Sequence, residues 1–200
     1  MVQIHPSRAK PGRRDAVRGE ILRRAADAFR EKGFHGASMR DIAGAMDMTP
    51  GSLYYYFRSK DDLLHACQTL ALDRLLGGAK AIVAGPGTAP ERLRALVRAH
   101  VLCLLEETGG SAAHLEFRAL PGPRRASIAA RRDAYERLWR AVVAAGVADG
   151  TLRAVDGKLA VLALLGAANG TVVWWRPEGP RGPREIADAY ADILVGGLET

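Results

Sequence analysis

The sequence is poor in residues that build redox and metal centres. It has two cysteines in 200 residues, Cys67 and Cys103, and no other cysteine or paired histidine supplies the spacing of a metal site. We therefore predict no metal and no cofactor, and two thiols that fill apolar space in a reducing compartment. The first residues also lack the apolar stretch typical of a signal sequence, so we expect a cytoplasmic protein.

Long hydrophobic runs and catalytic motifs are also scarce. The most apolar stretch, 159–175, is shorter than the ~20 residues that span a membrane and contains Gly166 and Gly170, which favours a helix buried on all sides and no membrane partner. Phosphate-binding glycine motifs, GxSxG and HExxH do not occur. His114 and Glu116 form an H-x-E pattern, but the PCxxC motif that accompanies it in zinc deaminases is missing. These absences argue against an enzyme.

Alternating strand patterns are absent, whereas apolar residues recur at three- and four-residue spacings along nearly the whole chain. This periodicity predicts an all-α fold, and no internal repeat interrupts it. Glycine and proline clusters, together with N-cap residues, divide the chain into about nine helices. Their approximate ranges are 15–32, 38–46, 49–56, 60–84, 90–107, 111–119, 124–148, 156–175 and 183–198.

Positive charge is concentrated in the first third of the chain. The formal net charge is +7, and residues 1–60 hold 12 Lys and Arg against 6 Asp and Glu, which leaves 17 against 16 for the other 140 residues. A basic segment beside a nearly neutral one indicates that the N-terminal part contacts a polyanion. A solvated arginine-rich face is the alternative.

Aromatic residues make up only 6% of the chain, yet four of them stand together in TPGSLYYYFRSKDDLL. Thr49 and Pro50 are typical of the first positions of a helix, which can run only to about Tyr56 before Ser59 begins another. Two short helices joined by a tight turn bury little apolar area. That arrangement is typical of a helix-turn-helix, whose second helix stays exposed so that it can enter a major groove.

The short helix has an inner and an outer side. Leu53 and Phe57 are four residues apart and point inward, whereas the tyrosines cover the remaining arc. A tyrosine ring can lie against a sugar or a thymine methyl while its hydroxyl reaches a phosphate, and Lys60 can neutralise a phosphate. The alternative is an aromatic cluster packed on the larger domain, and Tyr56 is the tyrosine most suited to it.

The stretch ILRRAADAFREKGFHGASMRDIAGAMDM, followed by TPGSLYYYFRSKDDLL, resembles the tetracycline-repressor (TetR) family of bacterial transcription regulators. The resemblance implies that Arg40 contacts a base or a phosphate and that Ser38 and Lys60 hold the DNA backbone. It implies further that the operator is read or gripped by Thr49, Pro50, Gly51, Ser52, Tyr54 and Tyr55. Asp47 replaces the family's turn glycine, and because Asp tolerates positive φ better than most residues we expect the turn to survive.

Three segments are predicted: a basic flexible tail at 1–13, a helix-turn-helix DNA-binding domain at 14–58, and a ligand-binding and dimerisation domain at 59–200. The tail carries Arg8, Lys10 and Arg13 and is followed directly by Arg14, and this basic stretch could reach a minor groove or serve only as a solubilising extension. The family resemblance implies that the last two helices form a four-helix bundle with those of a second copy. The residues predicted at this homodimer interface are Leu162, Gly166, Gly170, Tyr190, Ile193, Leu194 and Gly197. A core role of these helices within one subunit is the alternative.

Polar and large aromatic residues inside otherwise apolar segments that are predicted to be helical are candidates for an effector site. They are His100, His114, Arg118, Asn169, Trp174 and Trp175. The segment LLGAANGTVVWWRPEGPRGPREIADAY resembles a subgroup of the family that represses lipid, fatty-acid or sterol degradation and responds to acyl-CoA thioesters. The predicted function is therefore a ligand-responsive repressor that binds palindromic operator DNA as a dimer and is released by a small apolar or acyl-CoA-type effector. A helical interaction module and an enzyme without a recognisable motif are the alternatives.

Overall fold

The computed structural model describes residues 11–107 and 112–200, and in these ranges the fold is all-helical apart from one isolated bridge between Leu152 and Glu199. The eight α-helices are α1 (Pro11–Gly36), α2 (Met39–Gly44), α3 (Pro50–Tyr56), α4 (Lys60–Ala84), α5 (Ala89–Leu102), α6 (Gly122–Ala148), α7 (Gly157–Trp174) and α8 (Pro183–Gly196). The all-α prediction is confirmed. The remaining predicted helix, at 111–119, is a 3-10 helix (Ala112–Ala119), and a short π-helical turn (Cys103–Glu107) follows α5.

Helix α1 forms the base of the N-terminal head. Its apolar stripe, which includes Ile21, Ala25 and Phe29, is buried against the following helices. The chain kinks at Gly33, whose φ of 69° lies in the left-handed region that glycine adopts at little cost. The helix begins at Pro11, earlier than the predicted residue 15, because proline suits the first turn of a helix.

Local capping defines the two short helices of the head. Ser38 and Asp41 form the predicted capping box at the start of α2, and the Thr49 hydroxyl accepts a hydrogen bond from the Ser52 amide at the start of α3. Between the two helices Asp47 has a φ of 51°, so it occupies the left-handed turn position that was expected of it. Leu53 is fully buried, which fixes the face that α3 turns inward.

The other helices form a bundle joined to the head through α4. Helix α4 packs along α6, and α5 packs along α8, with Trp139 of α6 fully buried in the core. A paired hydrogen bond of 2.7 Å from the Arg94 guanidinium to the Glu199 carboxylate ties α5 to the C-terminal end. The 3-10 helix packs against both α1 and α4, so it lies between the bundle and the head.

Helix α7 is the most apolar helix and is long enough to span a membrane by length and composition. Val161, Leu164 and Ala168 lie in the core, but Leu159, on another side of the helix, is 64% exposed. The prediction of a helix buried on all sides is therefore wrong for the single chain. One face is inside the bundle, and the other is a largely apolar surface on which Leu159, Leu162 and Val173 are exposed.

Candidate DNA-binding surface and ligand cavity

The DNA-facing residues predicted on α3 and its N-cap lie together on one exposed surface. Thr49, Pro50, Gly51 and Ser52 are exposed at the N-terminal end of the helix. Tyr54 is 49% exposed and Tyr55 63%, whereas Tyr56 is half-buried against the core. The helix is held from behind by Leu53 and Phe57, so its outer side is available to a groove.

Ser38 and Arg40 lie at the start of α2, beside this surface. The Ser38 hydroxyl is engaged with the Asp41 carboxylate at 2.5 Å, while the Arg40 side chain is exposed. Lys32 donates a hydrogen bond of 2.5 Å to Asp41. This hydrogen bond, followed by those from Ser38, holds the pKa of the Asp41 carboxyl well below its usual range. The capping box therefore stays ionised and intact at neutral pH, and α2 presents Arg40 from a fixed position.

Two arginines of α1 also contact aromatic rings at α3, and these contacts were not predicted. The Arg14 guanidinium carbon lies 5.3 Å from the centroid of the Tyr55 ring, and that of Arg18 lies 4.5 Å from the Phe57 ring. These are cation–π distances. Arg14 and Arg18 are four residues apart and continue the spacing of the apolar stripe toward the N-terminus, which is the sequence signal for these contacts. Arg14 was interpreted only together with the basic tail. Arg8 and Lys10 lie outside the described residues.

Lys60 has a different environment from the one predicted. Its ammonium nitrogen lies 2.7, 3.2 and 3.0 Å from the carbonyl oxygens of Phe34, His35 and Ala37, and 4.6 Å from the centroid of the Phe34 ring. An ammonium has three N–H donors, and these carbonyls accept all three. In this arrangement Lys60 closes the C-terminal end of α1, and no donor remains for a phosphate.

The bundle contains a cavity of about 220 Å³ enclosed by α4, α5, α6 and α7. Its walls are mostly apolar. The lining residues are Gln68, Ala71, Leu72, Leu75, His100, Leu104, Ile128, Arg132, Tyr135, Glu136, Leu162, Leu165, Gly166 and Asn169. Two of the six predicted ligand residues, His100 and Asn169, are thus brought together here.

Three of the predicted ligand residues do not line this cavity. Arg118 is exposed on the 3-10 helix, and Trp174 is on the outer face of α7, where its ring lies 6.2 Å from that of Tyr190. Trp175 follows the end of α7 and is partly buried against the core. Successive helical residues point about 100° apart, so Trp174 lies on a different side of α7 from the cavity residues Leu162, Leu165 and Asn169. The His114 side chain lies outside the described part.

The polar residues of the cavity form a chain of contacts. His100 is 4% exposed, and its two ring nitrogens lie 3.1 Å from the Tyr135 hydroxyl and 3.1 Å from the Asn169 carbonyl oxygen. The rings of His100 and Tyr135 are stacked, with centroids 5.7 Å apart. Burial raises the pKa of the Tyr135 phenol, so this group stays protonated at neutral pH.

Helix α6 supplies cavity residues that were not predicted. Ile128, Arg132, Tyr135 and Glu136 recur at three- and four-residue spacings, a signal present in the sequence. The Arg132 guanidinium carbon also lies 4.7 Å from the centroid of the Phe117 ring on the 3-10 helix. Burial lowers the pKa of Arg132, and Asp133 acts in the opposite direction.

The residues predicted at a dimer interface lie on the outer face of α7 and α8. Ile193 is 72% exposed, Leu162, Gly166 and Gly197 are exposed, and Gly170, Tyr190 and Leu194 are half-buried. A Cβ added to Gly166 or Gly170 would meet no atom within 4 Å, so both open onto free space. Leu162 and Gly166 also line the cavity, which makes the cavity wall continuous with this face.

Two family models cover the head and the bundle. Residues 21–67 match the bacterial regulatory proteins of the tetR family, and residues 86–198 match the tetracyclin repressor-like C-terminal domain. The chain belongs to the TetR family. It is accordingly a regulator of transcription with a helix-turn-helix, and TetR regulators bind operator DNA as dimers. A TetR assignment also excludes the enzyme alternative.

Individual TetR relatives match along nearly the whole chain. The transcriptional repressor KstR2 of Rhodococcus jostii is 32% identical, over 94% of this chain and 92% of the relative. The ketosteroid transcriptional regulator KstR2 of Mycobacterium tuberculosis superposes with a TM-score of 0.82 at 28% identity, over 92% of this chain and 95% of that one. AibR, solved in complex with isovaleryl coenzyme A and operator DNA, gives a TM-score of 0.75 at 29% identity, over 89% and 98%.

Proposed function

We propose that this TetR-family chain is a repressor that binds a palindromic operator as a homodimer and leaves it when an effector fills the bundle cavity. One observation carries the proposal. The cavity is lined both by α4, which begins beside the head at Lys60, and by α7, whose outer face is the proposed dimer surface. An effector that displaces both helices changes the position of each DNA-binding head relative to the dimer interface.

The DNA contacts follow from the two-fold symmetry. In a helix-turn-helix dimer the recognition helices enter successive major grooves about 34 to 36 Å apart. We assign base reading to the exposed N-terminal end of α3, from Thr49 to Ser52, and grip on sugars and phosphates to Tyr54, Tyr55 and Arg40. Lys60 is reassigned from a phosphate ligand to a residue that fixes α4 to α1. A division into a DNA-binding unit at 14–58 and a ligand and dimer unit at 59–200 is part of the proposal.

The effector is proposed to be an acyl-CoA thioester. AibR was solved with isovaleryl coenzyme A, and the segment 164–190 resembles acyl-CoA-responsive regulators. An apolar space of about 220 Å³ suits an acyl group, whereas the nucleotide part of CoA is much larger. Arg132 lines the cavity, but Arg124 and Arg131 form ion pairs with Asp62 and Asp73, so they are less suited to the phosphates. Residence in the cytoplasm follows from the proposed role.

Release of DNA tests the proposal. A fluorescent duplex from the DNA upstream of the protein's own coding sequence is bound by the dimer, and CoA, free acids and short, branched and cyclic acyl-CoA esters are then added. We expect steep salt dependence and release by one class of ester only. Binding that no ester reverses would contradict the effector class, and an absence of specific binding would contradict the repressor function.

A further inference from the structure

Asn169 lines the cavity with an amide whose oxygen has a hydrogen-bond partner and whose nitrogen has none among the described residues. Its carbonyl oxygen lies 3.1 Å from His100 Nε2. Within the described residues, its amide nitrogen makes no hydrogen bond as a donor, and the residue lines the cavity. A primary amide carries two N–H donors on that nitrogen, so Asn169 adds donor capacity to a cavity whose walls are mostly apolar.

The direction of the polar chain is set by Asn169 itself. An amide oxygen only accepts hydrogen bonds, so His100 Nε2 carries the hydrogen and donates it. In the neutral imidazole Nδ1 is then an acceptor, and the Tyr135 hydroxyl, 3.1 Å away, is the donor to it. Tyr135 and His100 therefore act as positioning residues: they hold the Asn169 oxygen, which leaves the two N–H groups of its nitrogen for a ligand.

We propose that the Asn169 amide nitrogen is a subsite for a carbonyl oxygen in the apolar part of the effector. This inference rests on the proposed function, because it concerns the same cavity. A ligand that buries Asn169 without an acceptor leaves an unsatisfied donor, which costs about 1 to 3 kcal/mol. A ketone or thioester oxygen removes that cost. The cavity thus selects a carbonyl over a methylene of the same shape.

Three small probes of similar shape and different hydrogen bonding test the subsite without the true effector. They are trans-1-decalone, the corresponding decalol and trans-decalin, and their affinities for the full-length dimer are measured by titration of the intrinsic tryptophan fluorescence. We expect the ketone to bind roughly 5- to 150-fold more tightly than the hydrocarbon, which is the range of about 1 to 3 kcal/mol for one unsatisfied donor. Equal affinities, tighter binding of the alcohol than of the ketone, or no binding of the ketone would each overturn the proposal.

Substitutions test the Asn169 amide and its positioning residue Tyr135 separately. In Asn169→Leu the preference for ketone over hydrocarbon should disappear while decalin binding persists, and in Asn169→Asp it should disappear because a carboxylate offers no donor. Arg118→Ala, exposed and away from the cavity, is the matched control and should keep the preference. Tyr135→Phe should reduce the preference for ketone over hydrocarbon, because His100 Nδ1 loses the donor that fixes its tautomer. Decalin binding and circular dichroism identify a variant that fails to fold, in which case Asn169→Asp decides.

The DNA assay keeps this inference separate from the proposed function. If acyl-CoA esters release the operator but Asn169→Leu retains the ketone preference, the subsite is wrong and the repressor function stands. If the ketone preference depends on Asn169 but no ligand of the cavity releases DNA, the subsite stands and the release mechanism is wrong.

Discussion

The ammonium nitrogen of Lys60 lies 2.7 Å from the backbone carbonyl oxygen of Phe34, and this contact joins the first residue of α4 to the end of α1. Two further carbonyls of the same segment accept hydrogen bonds from the same nitrogen. Because α4 continues into the cavity wall at Gln68 and Leu72, one helix connects the effector site with the base of the head. A displacement of α4 by an effector is therefore passed to α1 and to the helices packed on it.

Replacing Lys60 with Met should lower both stability and DNA affinity without changing the salt dependence of binding. The change removes charge-assisted hydrogen bonds to three carbonyls, for an expected loss of about 1 to 3 kcal/mol in the free energy of unfolding. Urea unfolding and fluorescence anisotropy at several salt concentrations measure the two effects. Arg58→Met, an exposed charge two residues earlier, is the control and should not destabilise the fold. A fall of about one in the salt slope for Lys60→Met would instead identify a phosphate ligand.

Arg14 should contribute to DNA binding from its position over the Tyr55 ring. Arg14→Ala should weaken operator binding several-fold and reduce the salt slope by about one, because a cation beside the recognition helix neutralises one phosphate. A double-mutant cycle with Tyr55→Leu should show coupling, since the ring positions the guanidinium. Arg23→Ala, another exposed arginine of α1, is the control. Additive effects in the cycle would show that the two side chains act separately.

The left-handed turn at Asp47 predicts opposite effects for two small substitutions. Asp47→Ala should destabilise the fold by about 1 kcal/mol, because a β-carbon at a φ of 51° is strained without the local hydrogen bonding available to Asp. Asp47→Gly should be neutral or stabilising. Ala45→Gly provides the comparison, since Ala45 has an ordinary right-handed conformation and glycine there should destabilise. Equal urea midpoints for the two Asp47 variants would contradict this account of the turn.

His65 should make stability depend on pH in the weakly acidic range. Burial, followed by Arg124 and Arg131, lowers the pKa of this histidine from 6.5, and Asp62 acts in the opposite direction. The unfolded chain therefore takes up the proton at higher pH than the folded chain. The stability is complete above about pH 6.5 and is lost as the pH falls toward the folded pKa. His65→Gln should flatten the decrease in unfolding free energy between pH 7.5 and 5.5, and an unchanged decrease would contradict the assignment.

The head could be predicted closely from the sequence because its signals are local. Capping at Ser38 and Thr49, the inward side of Leu53 and the left-handed Asp47 each depend on residues within one or two turns. The contacts of Lys60 could not be predicted in the same way. They join residues 23 to 26 positions apart, and nothing in the local sequence distinguishes a lysine that binds phosphate from one that closes a helix.

The cavity was harder to predict because it depends on which faces of four helices meet. His100 and Asn169 were predicted as ligand residues because they interrupt apolar helical segments. The same criterion selected Arg118 and Trp174, which lie on the outside. Tyr135 and Arg132 were missed because α6 is rich in charged residues, and only packing shows which of its sides lines the cavity. Leu162 and Gly166 were assigned to the dimer face alone, yet they belong to the cavity wall as well.

The most direct test of a dimeric DNA-binding regulator is the number of chains that bind one operator duplex. Sedimentation of the full-length protein with a fluorescent duplex from its own upstream DNA gives that number, and Ile193→Glu, which places a charge on the exposed α8 face, gives the matched comparison. The account predicts two chains, or a multiple of two, on each duplex for the wild type, and loss of this complex for Ile193→Glu. A single wild-type chain on each duplex, or none at low salt, would contradict it.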